Sequence, residues 1–177
     1  MRIRRKCKEM YYLGLAREAA GRAVCFRRFS GAIIVREDQI VSTGYTGSPR
    51  KTLDCFERKF CLRNKLNIPS GQRYELCASV HAEQNAFINA ARAGVSVLGG
   101  DIYIFGQTRD RKPIDAFPCF ICKKMIINAG LKRVICSTKE RKMRVFLVEA
   151  WVEEWRDPSR NIIDDEVQYG VGLKINK

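Results

Sequence analysis

The chain has a single histidine, His81, and it stands two places before a glutamate in the stretch VHAEQNAF, residues 80–87. Downstream, the stretch PCFIC sets Cys119 three residues before Cys122. One imidazole and two thiolates are borderline-soft donors that suit Zn2+, and three protein ligands leave a tetrahedral ion one position for water. A carboxylate beside that water, Glu83, has the chemistry of a proton carrier. Each half of the pattern also has a plainer reading. A lone histidine is often a hydrogen-bonded core side chain, and a lone C-x-x-C serves as a redox pair. The redox reading has no use for His81 or Glu83, and the core-histidine reading has none for the cysteines.

The elements must bring these groups together. Two positions are about 200° apart on a regular helix, so in mid-helix His81 and Glu83 would point apart. In a first turn both can reach forward past the helix end. At a helix start, Cys119 and Cys122 share one face and the helix N-terminus favours their thiolate forms. An ion lying between two helix starts can then take His81 from one helix and both cysteines from the other. Zinc lowers the pKa of its water toward neutrality even with two thiolates bound. Glu83 takes that proton, delivers it to a ring nitrogen of the substrate, and protonates the departing amine. This is hydrolytic deamination, and H-x-E…P-C-x-x-C is the signature of zinc deaminases.

Around these motifs the pattern predicts a helix over 8–24, rich in Ala, Leu, Glu and Arg. A hairpin follows, with strands at 32–35 and 40–43 joined by the turn REDQ. Residues 45–74 are turn-rich, and loops of that length carry function or are tied down. Ser79 is the expected N-cap of a helix over 80–93, stopped by Gly94. A strand at 101–106, a helix opened by Pro118 and ended by Gly130, and a strand at 133–137 come next. Val148, Val152 and Trp155, flanked by Leu147 and Trp151, mark the buried stripe of a last helix. The order is helix, hairpin, helix, strand, helix, strand, helix. It suggests an α/β fold, a mixed sheet with helices on both faces.

With 177 residues, the chain reads as one domain over 1–156 with a tail over 157–177. A hydrophobic fraction of 46% with 29% charged residues is ordinary globular composition and excludes a disordered class. No apolar run approaches a membrane span, and the basic start lacks the apolar stretch of a secretory signal. The expected compartment is the cytoplasm, where eight cysteines need a use other than disulfides. The net charge of +14 favours anionic partners without choosing among them, and solubility alone also accounts for it.

Four stretches, GAIIVREDQIVSTGYTGSPR, CLRNKLNIPSGQRYELC, VHAEQNAFINAARAG and PCFICKKMIINAG, resemble the cytidine and deoxycytidylate deaminase superfamily, most closely its deoxycytidylate (dCMP) deaminase branch. With their connections they span about residues 8–140. The resemblance implies a three-layer α/β/α cytidine deaminase-like fold with a central mixed five-stranded sheet. It implies catalytic zinc at His81, Cys119 and Cys122, with Glu83 as the proton shuttle. It also implies a small nucleotide substrate, a homo-oligomer with active sites completed across subunits, and, more weakly, regulation by deoxynucleoside triphosphates.

Three departures bear on substrate contacts. The family's GYNG reads Gly44-Tyr45-Thr46-Gly47, replacing an asparagine that helps hold the nucleotide. Asp115-Ala116-Phe117 stands where a Thr-x-x run often precedes Pro118-Cys119. No tyrosine follows RVICS, where the dCMP branch often supplies an aromatic near the base.

That branch often carries a second, structural zinc fed from the positions of Cys25 and Cys55, with histidines completing it. This chain has no second histidine, and Cys61 and Cys77 would supply the remaining thiolates. The alternative is a set of buried reduced cysteines packed as small hydrophobes. Arg27, Arg28, Arg50 and Thr46 lie in segments that line the active site in this family, and the arginines are the candidate phosphate contacts. Three functions stay open: a deaminase of a free cytosine nucleotide, a deaminase of RNA or tRNA bases, and a zinc module without turnover. The Cys-rich loop favours the first over a nucleic-acid partner, and Glu83 argues against the third.

Overall fold

The computed structural model describes residues 5–157; residues 1–4 and the tail over 158–177 lie outside it. Helix α1 (Lys8–Ala20) leads into strands β1 (Phe29–Arg36) and β2 (Gln39–Tyr45). A long segment holding the short helix α2 (Leu62–Lys65) and a 3-10 turn at Tyr74–Leu76 then runs to α3 (Ala82–Arg92). Strand β3 (Asp101–Gln107), helix α4 (Phe120–Asn128), strands β4 (Arg133–Ser137) and β5 (Met143–Leu147) and helix α5 (Val148–Arg156) complete it. The five strands lie in the order β2-β1-β3-β4-β5, with β3 and β4 parallel and the other pairs antiparallel.

Strands buried on both faces read as continuous apolar runs, and β1, β3 and β4 do so because alternate residues feed two cores. On one face Ile33, Val35, Tyr103 and Ile135 meet Tyr12, Leu13 and Ala16 of α1. On the other, Ile34, Ile102, Ile104 and Val134 meet Ala82 and Ala86 of α3, Ile126 of α4 and Trp151 of α5. The architecture is the expected three-layer α/β/α arrangement around a mixed five-stranded sheet.

The hairpin turn places Glu37 and Asp38 in the left-handed region without a glycine (φ 52° and 61°). Helix α1 braces it: Lys8 Nζ donates to Asp38 Oδ2 at 2.7 Å, and the Tyr12 hydroxyl donates to Asp38 Oδ1 at 2.7 Å. Asp38 is held below the usual carboxylate range by those two hydrogen bonds, from Lys8 first.

Two glycines set how close the helices come. A Cβ at Gly31 would lie 2.1 Å from the Ala16 carbonyl oxygen, and one at Gly44 would lie 2.2 Å from that of Ala82. Only glycine lets α1 and α3 settle this near the sheet. Ser42, Asn85 and Asn89 then lace α3 to β2: Asn85 Nδ2 donates to the Tyr45 carbonyl at 2.8 Å, and Ser42 Oγ to that of Ala86 at 2.6 Å.

The structure departs from the sequence expectations in three places. The first helix ends at Ala20 rather than near residue 24. Helix α3 starts after His81, so Ser79 is not its cap; Ser79 is buried, with its hydroxyl 3.6 Å from Cys55 Sγ. Strand β5 takes residues read as the approach to the last helix. Leu147 ends that strand and is exposed, while Trp151 joins Val148 in the buried face. Lys123 of α4 is buried beneath α5, its ammonium 4.9 Å from the Trp151 ring and 5.3 Å from that of Trp155.

Candidate active site

His81 and Cys119 occupy equivalent places, each the capping residue of a helix. Both are extended (ψ 154° and 168°), so their side chains are freed from the helical period and swing past the helix ends. Gln84 Oε1 accepts the His81 backbone N–H at 3.0 Å, fixing the start of α3. The Cys119 carbonyl accepts the Lys123 N–H at 2.8 Å and opens α4, which carries Cys122 in its first turn. The two starts face each other. His81 Nδ1 lies 3.3 Å from Cys119 Sγ and 3.4 Å from Cys122 Sγ.

The three donor atoms all lie within 4.8 Å of one another, and among the described residues no other group of three such donors converges. One imidazole nitrogen and two sulfurs at this spacing fit a tetrahedral zinc with a fourth position left over. One of the two thiols is already biased toward the thiolate. Cys119 is pushed down to about 4, first by its hydrogen bond with Cys122 and then by that with His81. Cys122 is pushed up by the same bond to Cys119, by burial and by the Glu83 charge. Burial works to lower the His81 pKa, but the hydrogen bond to Cys119 and the charge of Glu83 raise it on balance.

Glu83 is the second residue of α3 and is buried. Burial raises its pKa, partly offset by the His81 charge. It lines a cavity of about 450 Å³ that also touches His81 and Cys119. Burial of this kind disfavours the charged form, so the carboxyl holds a proton more readily than an exposed glutamate does, which suits a proton carrier.

The same cavity collects most of the other candidates. Arg27, Arg28 and the buried Thr46 lie on its wall. Arg28 donates from Nε to Ser30 Oγ at 3.1 Å and from Nη2 to the Asp115 carbonyl at 3.1 Å. Arg27 Nη1 donates to the Ile68 carbonyl at 3.0 Å. Arg50 is not on that wall; it reaches along the outside of α3 to Asn89 Oδ1 at 2.6 Å.

Cys25, Cys55, Cys61 and Cys77 line this cavity too, and the Arg27 N–H donates to Cys25 Sγ at 3.4 Å. Burial raises the Cys55 thiol, and the other three cysteines add to the effect. Their sulfurs do not draw together as the His81 group does.

Two wall residues were invisible as site residues in the sequence: Tyr74, whose ring meets His81 edge-on at 4.6 Å, and Arg63, stacked on Tyr74. Their only signal was membership in CLRNKLNIPSGQRYELC, one of the stretches that carried the resemblance.

Comparison with known proteins agrees with this geometry. The deoxycytidylate deaminase of Saccharomyces cerevisiae is 32% identical over 75% of this chain, and that of Mycobacterium phage D29 is 32% identical over 71%. The chain spans 38% of the yeast protein's length and 90% of the phage protein's. A dCMP deaminase from the cyanophage S-TIM5 shares the fold at 26% identity, with a TM-score of 0.52 over 71% of this chain and 79% of its own. Residues 6–138 match the cytidine and deoxycytidylate deaminase zinc-binding region, and the chain belongs to that family.

Proposed function

We propose that this protein is a zinc-dependent hydrolase that deaminates a cytosine nucleotide, converting dCMP to dUMP. The observation that carries the reading is Glu83, a buried carboxyl beside a converging His81–Cys119–Cys122 group at one end of an arginine-walled cavity. The relatives named deoxycytidylate deaminase support the choice of substrate.

His81, Cys119 and Cys122 would hold the zinc, which when bound supplies the Lewis acidity that makes water nucleophilic near neutral pH. Glu83 accepts the proton that water loses and passes it to N3 of cytosine. As the water oxygen bonds to C4, Glu83 takes that oxygen's second proton and gives it to the amine, which leaves C4 as ammonia while the oxygen stays as the C4 carbonyl, so one carboxyl serves as base and then acid. Its raised pKa, set first by burial, suits both tasks. The Tyr74 ring, edge-on to His81, helps hold the imidazole in its orientation.

Cys25, Cys55, Cys61 and Cys77 belong to a second proposal, a structural zinc that ties the segment between β2 and α3 to the start of β1. Two zinc atoms per chain, one of them retained in C119S, support it; a single atom lost in C119S refutes it. A homo-oligomer and a cytoplasmic location are part of the same reading. No helix among the described residues is long and apolar enough to cross a membrane.

The test is a deamination assay of the zinc-loaded chain on dCMP, CMP, deoxycytidine and a tRNA anticodon stem. The expected result is fastest turnover of dCMP. Preference for the tRNA stem would overturn the substrate assignment, and zinc binding without turnover of any of the four would overturn the enzyme assignment.

A further inference from the structure

Arg63 sits on the four-residue helix α2, and only 5% of it is exposed. A buried guanidinium ordinarily has a carboxylate partner, because an uncompensated buried charge is costly. Arg63 has none within ion-pair distance among the described residues. Nη2 donates to the Pro69 carbonyl at 2.9 Å, the guanidinium carbon stacks 4.8 Å from the Tyr74 ring centre, and Nε is buried with no hydrogen-bond partner at all.

The group lines the same cavity as His81 and Glu83, one aromatic ring removed from His81, since Tyr74 contacts both. Arg27 and Arg28 share that wall, and their side chains also donate to neutral oxygens: the carbonyls of Ile68 and Asp115 and the hydroxyl of Ser30. Two segments thus bring three guanidinium groups to one cavity, with no carboxylate ion pair to any of them among the described residues. The carboxylates on that wall are Glu83, at the reacting end, and Asp115, which accepts the Lys139 N–H.

We infer that Arg63 is the anion-reading residue of this cavity: with Arg27 and Arg28 it binds the phosphate monoester of the substrate, and it selects nucleotide over nucleoside. The inference rests on the deaminase reading for the identity of the substrate. A guanidinium with no carboxylate partner gains an anionic one from a phosphate group, and a planar fork of donors suits a phosphate better than a point charge would. Stacking on Tyr74 holds the fork in place before the ligand arrives. Arg63 therefore contributes to specificity through binding and takes no part in moving protons.

The test compares wild type, R63A, R63K and, as a control for loss of one positive charge on the same helix, K65A. Turnover of dCMP and deoxycytidine, calorimetric binding of inorganic phosphate, zinc content and far-UV circular dichroism are measured for each. In R63A the preference for dCMP over deoxycytidine, as a ratio of kcat/KM values, is expected to fall roughly tenfold to a hundredfold. Phosphate binding should weaken in parallel, with R63K intermediate and K65A at the wild-type ratio. An unchanged ratio with lost zinc or altered circular dichroism would show that Arg63 only braces the Cys-rich segment, and would overturn the inference. If no cytosine compound turns over, the functional reading fails by itself. In that case, phosphate binding that wild type shows and R63A lacks upholds the anion site, and equal binding by the two overturns it.

Discussion

Glu83 and His81 show how much two positions separated by one residue can differ in duty. As the residue before α3, His81 turns Nδ1 toward the sulfurs, while Glu83, inside the first turn, presents a buried carboxyl. Replacing Glu83 by Gln keeps the shape and removes the proton carrier. E83Q is expected to lower kcat about 10²- to 10⁴-fold while zinc content by elemental analysis stays at the wild-type value. Loss of zinc in step with activity would show that the carboxyl supports the metal instead.

At this scale the chemistry was legible because it depends on residue type and short spacing: one histidine, one glutamate two places on, and a C-x-x-C. Arg63 and Tyr74 were not legible. A sequence rich in arginine gives no hint which one is buried, and that depends on how the loop of residues 46–79 folds back over β1. The distinction between Arg28, on the cavity wall, and Arg50, spent on Asn89, is likewise a matter of tertiary placement.

The elements were easier to read where glycine, proline and apolar runs punctuate the chain. The hairpin, β3, β4 and the stops at Gly94 and Gly130 all follow from such signals. Strand β5 leaves no clear signal in the sequence because Met143, Val145 and Leu147 are exposed on an edge strand, so MRVFL lacks the buried run of its neighbours. By residue type Ser79 is the better cap, so the sequence pattern alone starts α3 two residues before its observed start at Ala82. The cap fell instead to His81, where the Gln84 side chain closes the first turn.

Gly44 is the element-scale device that delivers the site, since it lets α3 approach β2 at Ala82, the residue between His81 and Glu83. A Cβ there meets backbone atoms 2.2 and 2.4 Å away. G44A is expected to destabilise the fold by about 1–3 kcal/mol in a denaturant titration. It should also lower zinc affinity, because the helix start must shift. Unchanged stability would mean that the approach is not under constraint.

For the whole molecule, the surplus of +14 has an identifiable part that bears on chemistry. Arg27, Arg28 and Arg63 sit in the cavity with no carboxylate ion pair among the described residues, whereas Lys8, Arg73 and Arg133 elsewhere are paired with acidic side chains. A positively charged cleft attracts anions over a distance that salt shortens. Raising ionic strength from about 0.05 M to about 0.5 M is therefore expected to lower kcat/KM for dCMP at least threefold, with a smaller effect on neutral deoxycytidine. Equal loss for both substrates would point to a general salt effect on the fold. The bulk of the charge lies outside the cavity and fits solubility as well as any partner, which is why composition alone could not name the substrate.

Every catalytic role assigned to this site depends on the metal. A crystal structure of the zinc-loaded chain, with anomalous scattering recorded at the zinc edge, examines it most directly. The expected result is a zinc ion about 2.0–2.1 Å from His81 Nδ1 and about 2.3 Å from the sulfurs of Cys119 and Cys122, with a non-protein oxygen in the fourth position near Glu83. An ion closed off by a fourth protein ligand, or no zinc between those helix starts, would contradict it.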